Sequence, residues 1–276
     1  MDQPTPANLD GIAAEAFDAL VNTRQITPFS SRPGGLTVAD AYRVTSRVRK
    51  MYEASGATPV GRKIGFTNRG IWAQYNVYAP VWGHMFDRGL HDLATSGSLS
   101  LAALSEPRIE PEIVFGLGAA PRAGMDEAGL LSCIAWVALG FEIVQSVFPG
   151  WVFAAADTIA ANGVHGALMI GPRHAVAPHA DDWQRTLPAF DIALSCNGAL
   201  VDEGHGGNVL DGPLSALRHL VELLAADPHN PPLAAGEVIT TGTLTKAMPI
   251  AAGESWTATP TGIALEGITL RFCEAP

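Results

Sequence analysis

Three glutamates stand inside apolar, strand-like stretches of this chain: Glu110 and Glu112 in Arg108-Ile-Glu-Pro-Glu-Ile-Val-Phe115, and Glu142 in Leu139-Gly-Phe-Glu-Ile-Val144. An ionised carboxylate taken out of water costs several kcal/mol unless it is paired or bound to a metal. Side chains alternate along a strand, so residues 110 and 112 project from the same face. A third carboxylate from a neighbouring strand completes a facial, all-oxygen cluster. Such a cluster suits a hard divalent cation, Mg²⁺ or Mn²⁺, with coordination positions left for water or a chelating substrate. The structural alternative pairs Arg108 and Arg62 with these carboxylates as buried ion pairs.

Lysine is scarce, at Lys50, Lys63 and Lys246. Lys63 lies in Val60-Gly-Arg-Lys-Ile-Gly-Phe-Thr67, a strand-like run that ends in a polar turn. Beside a carboxylate cluster, burial lowers a lysine pKa while the carboxylates raise it, which suits a proton donor or acceptor. The alternative is a structural lysine paired with one of the glutamates.

The elements that must position these groups follow from periodicity. Residues 8–23 and 37–54 carry apolar side chains at helical spacing, with Thr37 as N-cap of the second helix and Asp40 in its first turn. From residue 59 strand-like runs dominate, at 59–66, 109–117, 137–145, 166–171, 190–196, 199–202, 237–241 and 264–272. Asn197-Gly198 marks a hairpin. Further helices are expected over 126–135 and over 213–225, where Pro213 opens a stripe of Leu214, Leu217, Leu220, Val221 and Leu224. Strands predominate without regular alternation with helices, so the fold class is α+β with a mixed or antiparallel sheet. The expected division is a helical N-terminal segment at 1–58 and a catalytic domain at 59–276.

Composition narrows the function classes. Across 276 residues, 47% are hydrophobic, 16% are charged and the net charge is −10. This is the composition of a compact globule, and no basic run exists to bind nucleic acid. No apolar stretch reaches the roughly 18 residues of a membrane span. Cys133, Cys196 and Cys273 are widely spaced in apolar contexts and read as buried free thiols. With an N-terminus lacking the features of a signal peptide, they place the chain in a reducing cytoplasm. Gly116-Leu-Gly-Ala-Ala-Pro121 fails as a dinucleotide loop, and the eight histidines have no ligand spacing for zinc.

Gly61-Arg-Lys-Ile-Gly-Phe-Thr67, Pro80-Val-Trp-Gly83, Arg108-Ile-Glu-Pro-Glu-Ile-Val, Glu142-Ile-Val, Asp157-Thr-Ile-Ala-Ala-Asn162 and Thr241-Gly-Thr-Leu-Thr245 occur in that order. Over nearly its whole length the chain resembles the 2-hydroxypenta-2,4-dienoate (2-keto-4-pentenoate) hydratase and 4-oxalocrotonate decarboxylase family, within the fumarylacetoacetate hydrolase superfamily. The resemblance implies a distorted β-roll, a homo-oligomer, and a role in meta-cleavage breakdown of aromatic compounds. It assigns Glu110, Glu112 and Glu142 to Mg²⁺ or Mn²⁺ and Lys63 to acid–base work on a 2-oxo or 2-hydroxydienoic acid. Thr67, Asn162, His165 and Thr243 are candidates for holding the substrate, against a turn-forming role for each. The leading expectation is a hydratase. Val81, where hydratases tend to carry Asp, favours a decarboxylase of a 4-oxalocrotonate-like diacid. Ala161, Val164 and Gln145 also depart from the family pattern. A carbon–carbon bond hydrolase would need His165 or His84 near the metal with a glutamate. The non-enzymatic alternative is a partner subunit that associates with a hydratase or decarboxylase.

Overall fold

The computed structural model describes residues 8–75 and 77–274. Fourteen strands follow in chain order: β1 (Pro59–Gly65), β2 (Val81–Phe86), β3 (Leu90–Asp92), β4 (Ser98–Ser100), β5 (Arg108–Leu117), β6 (Ile134–Val144), β7 (His165–Ile170), β8 (His174–Ala175), β9 (Asp191–Cys196), β10 (Ala199–His205), β11 (Val238–Thr240), β12 (Met248–Pro249), β13 (Ser255–Thr261) and β14 (Ile268–Cys273). The α-helices are α1 (Leu9–Val21), α2 (Val38–Ala54), α3 (Trp72–Tyr75), α4 (Glu127–Ser132), α5 (Ala155–Ala160), α6 (Ala180–Thr186) and α7 (Pro213–Ala225).

The strands form two sheets. The larger has the order β2-β1-β11-β5-β6-β7-β3, with β12 added to β5 and β8 to β6; the smaller has the order β10-β9-β13-β14-β4. Both are mixed, because β1 pairs with β11, β3 with β7 and β14 with β4 in parallel while the other ladders are antiparallel. This is the expected α+β class with curled, mixed sheets.

The faces of the large sheet are divided by alternation. Ile64, Ile109, Ile113, Phe115, Leu139, Phe141 and Ile239 enter the main core with the stripe of α7 and the inner residues of the smaller sheet. Val114, Ala138 and Val238 share a separate apolar cluster on the other face. The residues in alternation with the first set include Lys63, Thr240, Glu110, Glu112 and Glu142. Register places them side by side: Lys63 opposes Thr240, Thr240 opposes Val114, and Glu110 stands directly opposite Glu142.

The N-terminal helices are set as their caps direct. The Asn8 side chain accepts from Gly11 N–H at the start of α1, and Thr37 accepts from Asp40 N–H at the start of α2. Ala13, Ala16 and Ala19 of α1 and Ala41, Val44 and Val48 of α2 share one apolar cluster with Ile159, Ala160 and Ala161 at α5. Thr45 reinforces that contact through its Oγ1, which donates to Ile159 O at 2.9 Å.

Several boundaries differ from the sequence expectation. The helix expected over 126–135 ends at Ser132, and the chain enters β6 at Ile134. The strand expected over 264–272 runs from Ile268 to Cys273. Strands β2 and β13 and helices α5 and α6 were not anticipated; β2 is buried on both faces and so has no alternation to read. Of the three thiols expected to be buried, all are free, but only Cys133 is fully buried and Cys273 is exposed. Residues 1–7, which supplied the leader argument, lie outside the described residues.

Candidate metal centre

Glu110, Glu112 and Glu142 each offer a carboxylate oxygen, and these oxygens all lie within 4.8 Å of one another. Two adjacent antiparallel strands suffice to build the group. β5 supplies Glu110 and Glu112 from one face, and β6 supplies Glu142 opposite Glu110. Gly140 stands opposite Glu112, so no side chain competes with that carboxylate from β6.

The hydrogen bonds divide the oxygens unequally. Glu142 Oε1 accepts from His165 Nδ1 at 2.8 Å and faces Lys63 Nζ at 3.3 Å; Glu142 Oε2 accepts from Thr240 Oγ1 at 3.4 Å. Glu112 Oε2 accepts from the Gly242 backbone N–H at 2.7 Å. Its Oε1 is buried without a hydrogen-bond partner. A buried carboxylate oxygen with no donor is costly, and a hard cation satisfies it. The donor set of three carboxylates, one with an orphaned oxygen, therefore fits a divalent ion.

The electrostatics agree. Burial raises the Glu110 carboxyl to about 7, against the lowering effect of Lys63. Burial and the charges of Glu142 and Glu110 push Glu112 well above the usual carboxylate range. Burial works in the same direction on Glu142, but Lys63 and His165 outweigh it and hold that group at about 2. For Lys63, burial pulls the ammonium down, and Glu142, Glu110 and Glu112 together more than reverse this, leaving it raised.

A cavity of about 170 Å³ opens beside the cluster, with Glu110, Glu112, Lys63, Thr67 and Thr243 in its wall. Thr67 Oγ1 is buried and has no hydrogen-bond partner, whereas Thr243 Oγ1 donates to Thr245 O at 3.0 Å. Gly65 leaves room for the lysine: a Cβ built there would stand 3.1 Å from Lys63 Nζ and 4.0 Å from Val81 Cγ2. Val81, buried at 3% exposure, thus brings an aliphatic surface to the neighbourhood of the lysine where an acid was the alternative.

Two of the four substrate candidates are placed elsewhere. Asn162 is absent from the cavity wall because its amide is spent on β2: Oδ1 accepts from His84 N–H and Nδ2 donates to His84 O, both at 2.8 Å. His165 stands behind Glu142, on a different hollow that also includes Gln145. Neither His165 nor His84 lines the cavity, and His84 instead meets Asn230 at 3.4 Å. Of the two arginines, Arg62 pairs instead with Glu237 at 3.2 Å, whereas Arg108, over the Trp151 ring at 4.2 Å from its centroid, also acts on Glu110 through its charge. Sequence reading had no role for Gly242, Trp151 or Lys246. A signal existed for Arg108 as a wall residue, since it sits two positions before Glu110 on the same strand face.

A family model described as "Fumarylacetoacetate (FAA) hydrolase C-terminal" matches residues 93–266. The chain is 33% identical over 239 residues to 2-hydroxyhexa-2,4-dienoate hydratase of Comamonas testosteroni, covering 86% of this chain and 88% of that one. It is 29% identical over 262 residues to 4-oxalocrotonate decarboxylase of Pseudomonas sp. (strain CF600), covering 95% of each. Among solved structures, 4-oxalocrotonate decarboxylase from Pseudomonas putida G7, complexed with magnesium and adipate, superposes with a TM-score of 0.87 at 26% identity, over 99% of this chain and 100% of that chain.

Proposed function

The chain belongs to the fumarylacetoacetate hydrolase C-terminal family, and from that premise we propose that it is a divalent-metal-dependent lyase that hydrates an unsaturated 2-oxo or 2-hydroxydienoic acid. The observation that carries the reading is the three-glutamate cluster with Lys63 beside it, opening onto the cavity. Glu110, Glu112 and Glu142 would hold Mg²⁺ or Mn²⁺. When bound, the ion supplies Lewis acidity toward the substrate's C1 carboxylate and C2 oxygen.

The remaining steps belong to the chain. Lys63 is an ammonium near neutral pH, held by Glu142, so it begins as a proton donor at Nζ and recovers the proton later in the cycle. His165 and Thr240 orient Glu142 from behind. Thr67 Oγ1 supplies a hydrogen bond to the substrate's carboxylate end, and Thr243 is a second hydroxyl on the same wall. Phe66, Trp151 and Phe153 bound the cavity and limit the water that reaches the reacting carbons.

Decarboxylation of a 2-oxo diacid is the second reading, favoured by Val81 near Lys63. A carbon–carbon hydrolase is less well supported, because no histidine lines the cavity among the described residues. We also infer a homo-oligomer, supported by the exposed Leu200 and Val201 on edge strand β10. A cytoplasmic location is supported by the three free thiols. Among the described residues no helix is long and apolar enough to cross a membrane.

The deciding assay offers 2-hydroxypenta-2,4-dienoate and 2-oxohex-3-enedioate in parallel with Mg²⁺ or Mn²⁺. Loss of dienoate absorbance without carbon dioxide release is the expected outcome. Carbon dioxide from the diacid alone makes the protein a decarboxylase, and silence on both overturns the lyase reading.

A further inference from the structure

The turn between β6 and α5 carries Trp151 and Phe153 into the cavity wall, yet little within the turn holds it in place. Its own backbone bonds, Trp151 N–H to Phe148 O at 3.3 Å and Val152 N–H to Pro149 O at 3.4 Å, are longer than the roughly 2.7–3.2 Å of a well-made N–H···O bond. Trp151 has φ 60°, a left-handed conformation that a bulky residue keeps only where its surroundings impose it. Val152, next in the chain, is exposed.

The support comes from one residue outside the wall. Glu106 is exposed and stands two positions before β5. Its Oε1 and Oε2 accept from the Gly150 backbone N–H at 3.0 and 3.1 Å, and its main-chain O accepts from Trp151 Nε1 at 3.0 Å. A backbone N–H donating to a carboxylate is charge-assisted and stronger than a neutral pair. Gln25, between α1 and α2, donates to Glu106 Oε1 at 2.6 Å and so fixes the carboxylate in turn. Glu106 itself has φ 43°, so both ends of the bond to the indole are held in a sparsely populated backbone conformation. These contacts meet on one side chain of the wall, the Trp151 ring.

We propose that Glu106 is a positioning residue of this site: through Gly150 and Trp151 it sets the indole against the part of the cavity that takes the substrate's carbon chain beyond its chelating end. The inference rests on the 2-oxo-acid reading above. It is independent of whether the bond chemistry is hydration or decarboxylation.

The test uses pyruvate and 2-oxohexanoate, which share the chelating end, differ in the chain and lack the conjugated double bond of a reactive substrate. Each is titrated calorimetrically into the Mg²⁺-loaded full chain, and the unmodified protein should bind 2-oxohexanoate more tightly. Glu106→Ala is expected to weaken 2-oxohexanoate about tenfold, the scale of one charge-assisted hydrogen bond, and to leave pyruvate within about twofold. The retained pyruvate affinity shows that the variant is folded and loaded. Trp151→Ala should do the same, and adding Glu106→Ala to it should weaken binding no further, because Glu106 acts through the indole. Glu106→Gln, whose amide oxygen still accepts from Gly150 N–H, should recover most of the loss. Equal affinities for the two acids in the unmodified protein overturn the positioning role alone. So do Glu106→Ala affinities that are unchanged or weakened alike for both acids, full additivity in the double variant, or a Glu106→Gln variant as weak as Glu106→Ala. Failure of both acids to bind the unmodified protein overturns the 2-oxo-acid reading and the positioning role with it.

Discussion

At the scale of single residues, the roles proposed for the cluster separate ligands from proton carriers. Glu112→Gln or Glu142→Gln should abolish metal binding and turnover while leaving the circular dichroism of the fold intact; unchanged metal affinity in both variants, measured by calorimetry, would remove the assignment. Lys63→Ala should keep the metal and lose at least about two decades in kcat, the usual contribution of a positioned acid–base group. Near-normal turnover would leave Lys63 a structural partner of Glu142. The grouping of these four side chains was readable in the sequence, because Glu110 and Glu112 break an apolar alternation and Lys63 sits in a run with no other reason for an ammonium. Asn162 and His165 were not readable. Their neighbours in chain order do not reveal that one amide closes on His84 while one imidazole stands behind Glu142.

At the scale of elements, the centre depends on loops that lock onto strands. Asn162 uses both ends of its amide on the backbone of β2, and Asn162→Ala would leave a buried N–H and a buried C=O at His84 unpaired. Chemical denaturation should show a loss of about 1–3 kcal/mol, with metal affinity much less affected than in Glu142→Gln. Gly242 has φ 97° and donates to Glu112, and a Cβ there would run into Thr67 Oγ1. Elements with one wet face were legible: α2 with its Thr37 cap, the α7 stripe and the Asn197-Gly198 hairpin all stand where periodicity and turn chemistry place them. β2 was not anticipated because Val81-Trp82-Gly83 offers neither alternation nor a β-branched run. In β13, Trp256 and Ala258 alternate with threonines in a stretch containing Pro260, a weak strand signal. Helix α5 has only six residues and takes its N-terminal bond from Asp157 within its own first turn.

At the scale of the whole molecule, buried titratable groups outside the centre make stability depend on pH. His84 is fully buried beside Arg62, and burial first, then that charge, holds its imidazole well below 6.5. The unfolded chain takes up a proton as pH falls through about 6.5 and the folded chain does not, so the contribution is present above that value and is lost below it. The slope reaches about 1.4 kcal/mol per pH unit for one group. Denaturation between pH 8 and 5 should show His84→Leu with a shallower acid-side decline than the unmodified protein, whatever its baseline stability; parallel declines would exclude His84 as the cause.

Glu110 and Glu142 face each other directly across the β5–β6 ladder, an arrangement that opposes strand pairing when both are charged. On the proposed assignment, a cation held by both would turn the same pair into a staple of the central sheet. The ion would then be a folding ligand as well as a reagent, worth about 2.7 kcal/mol when free ion stands at a hundred times its dissociation constant. Chelation should therefore shorten the protein's lifetime under protease and lower its melting temperature together. A cell short of divalent ions would lose this protein by degradation, in addition to losing its turnover.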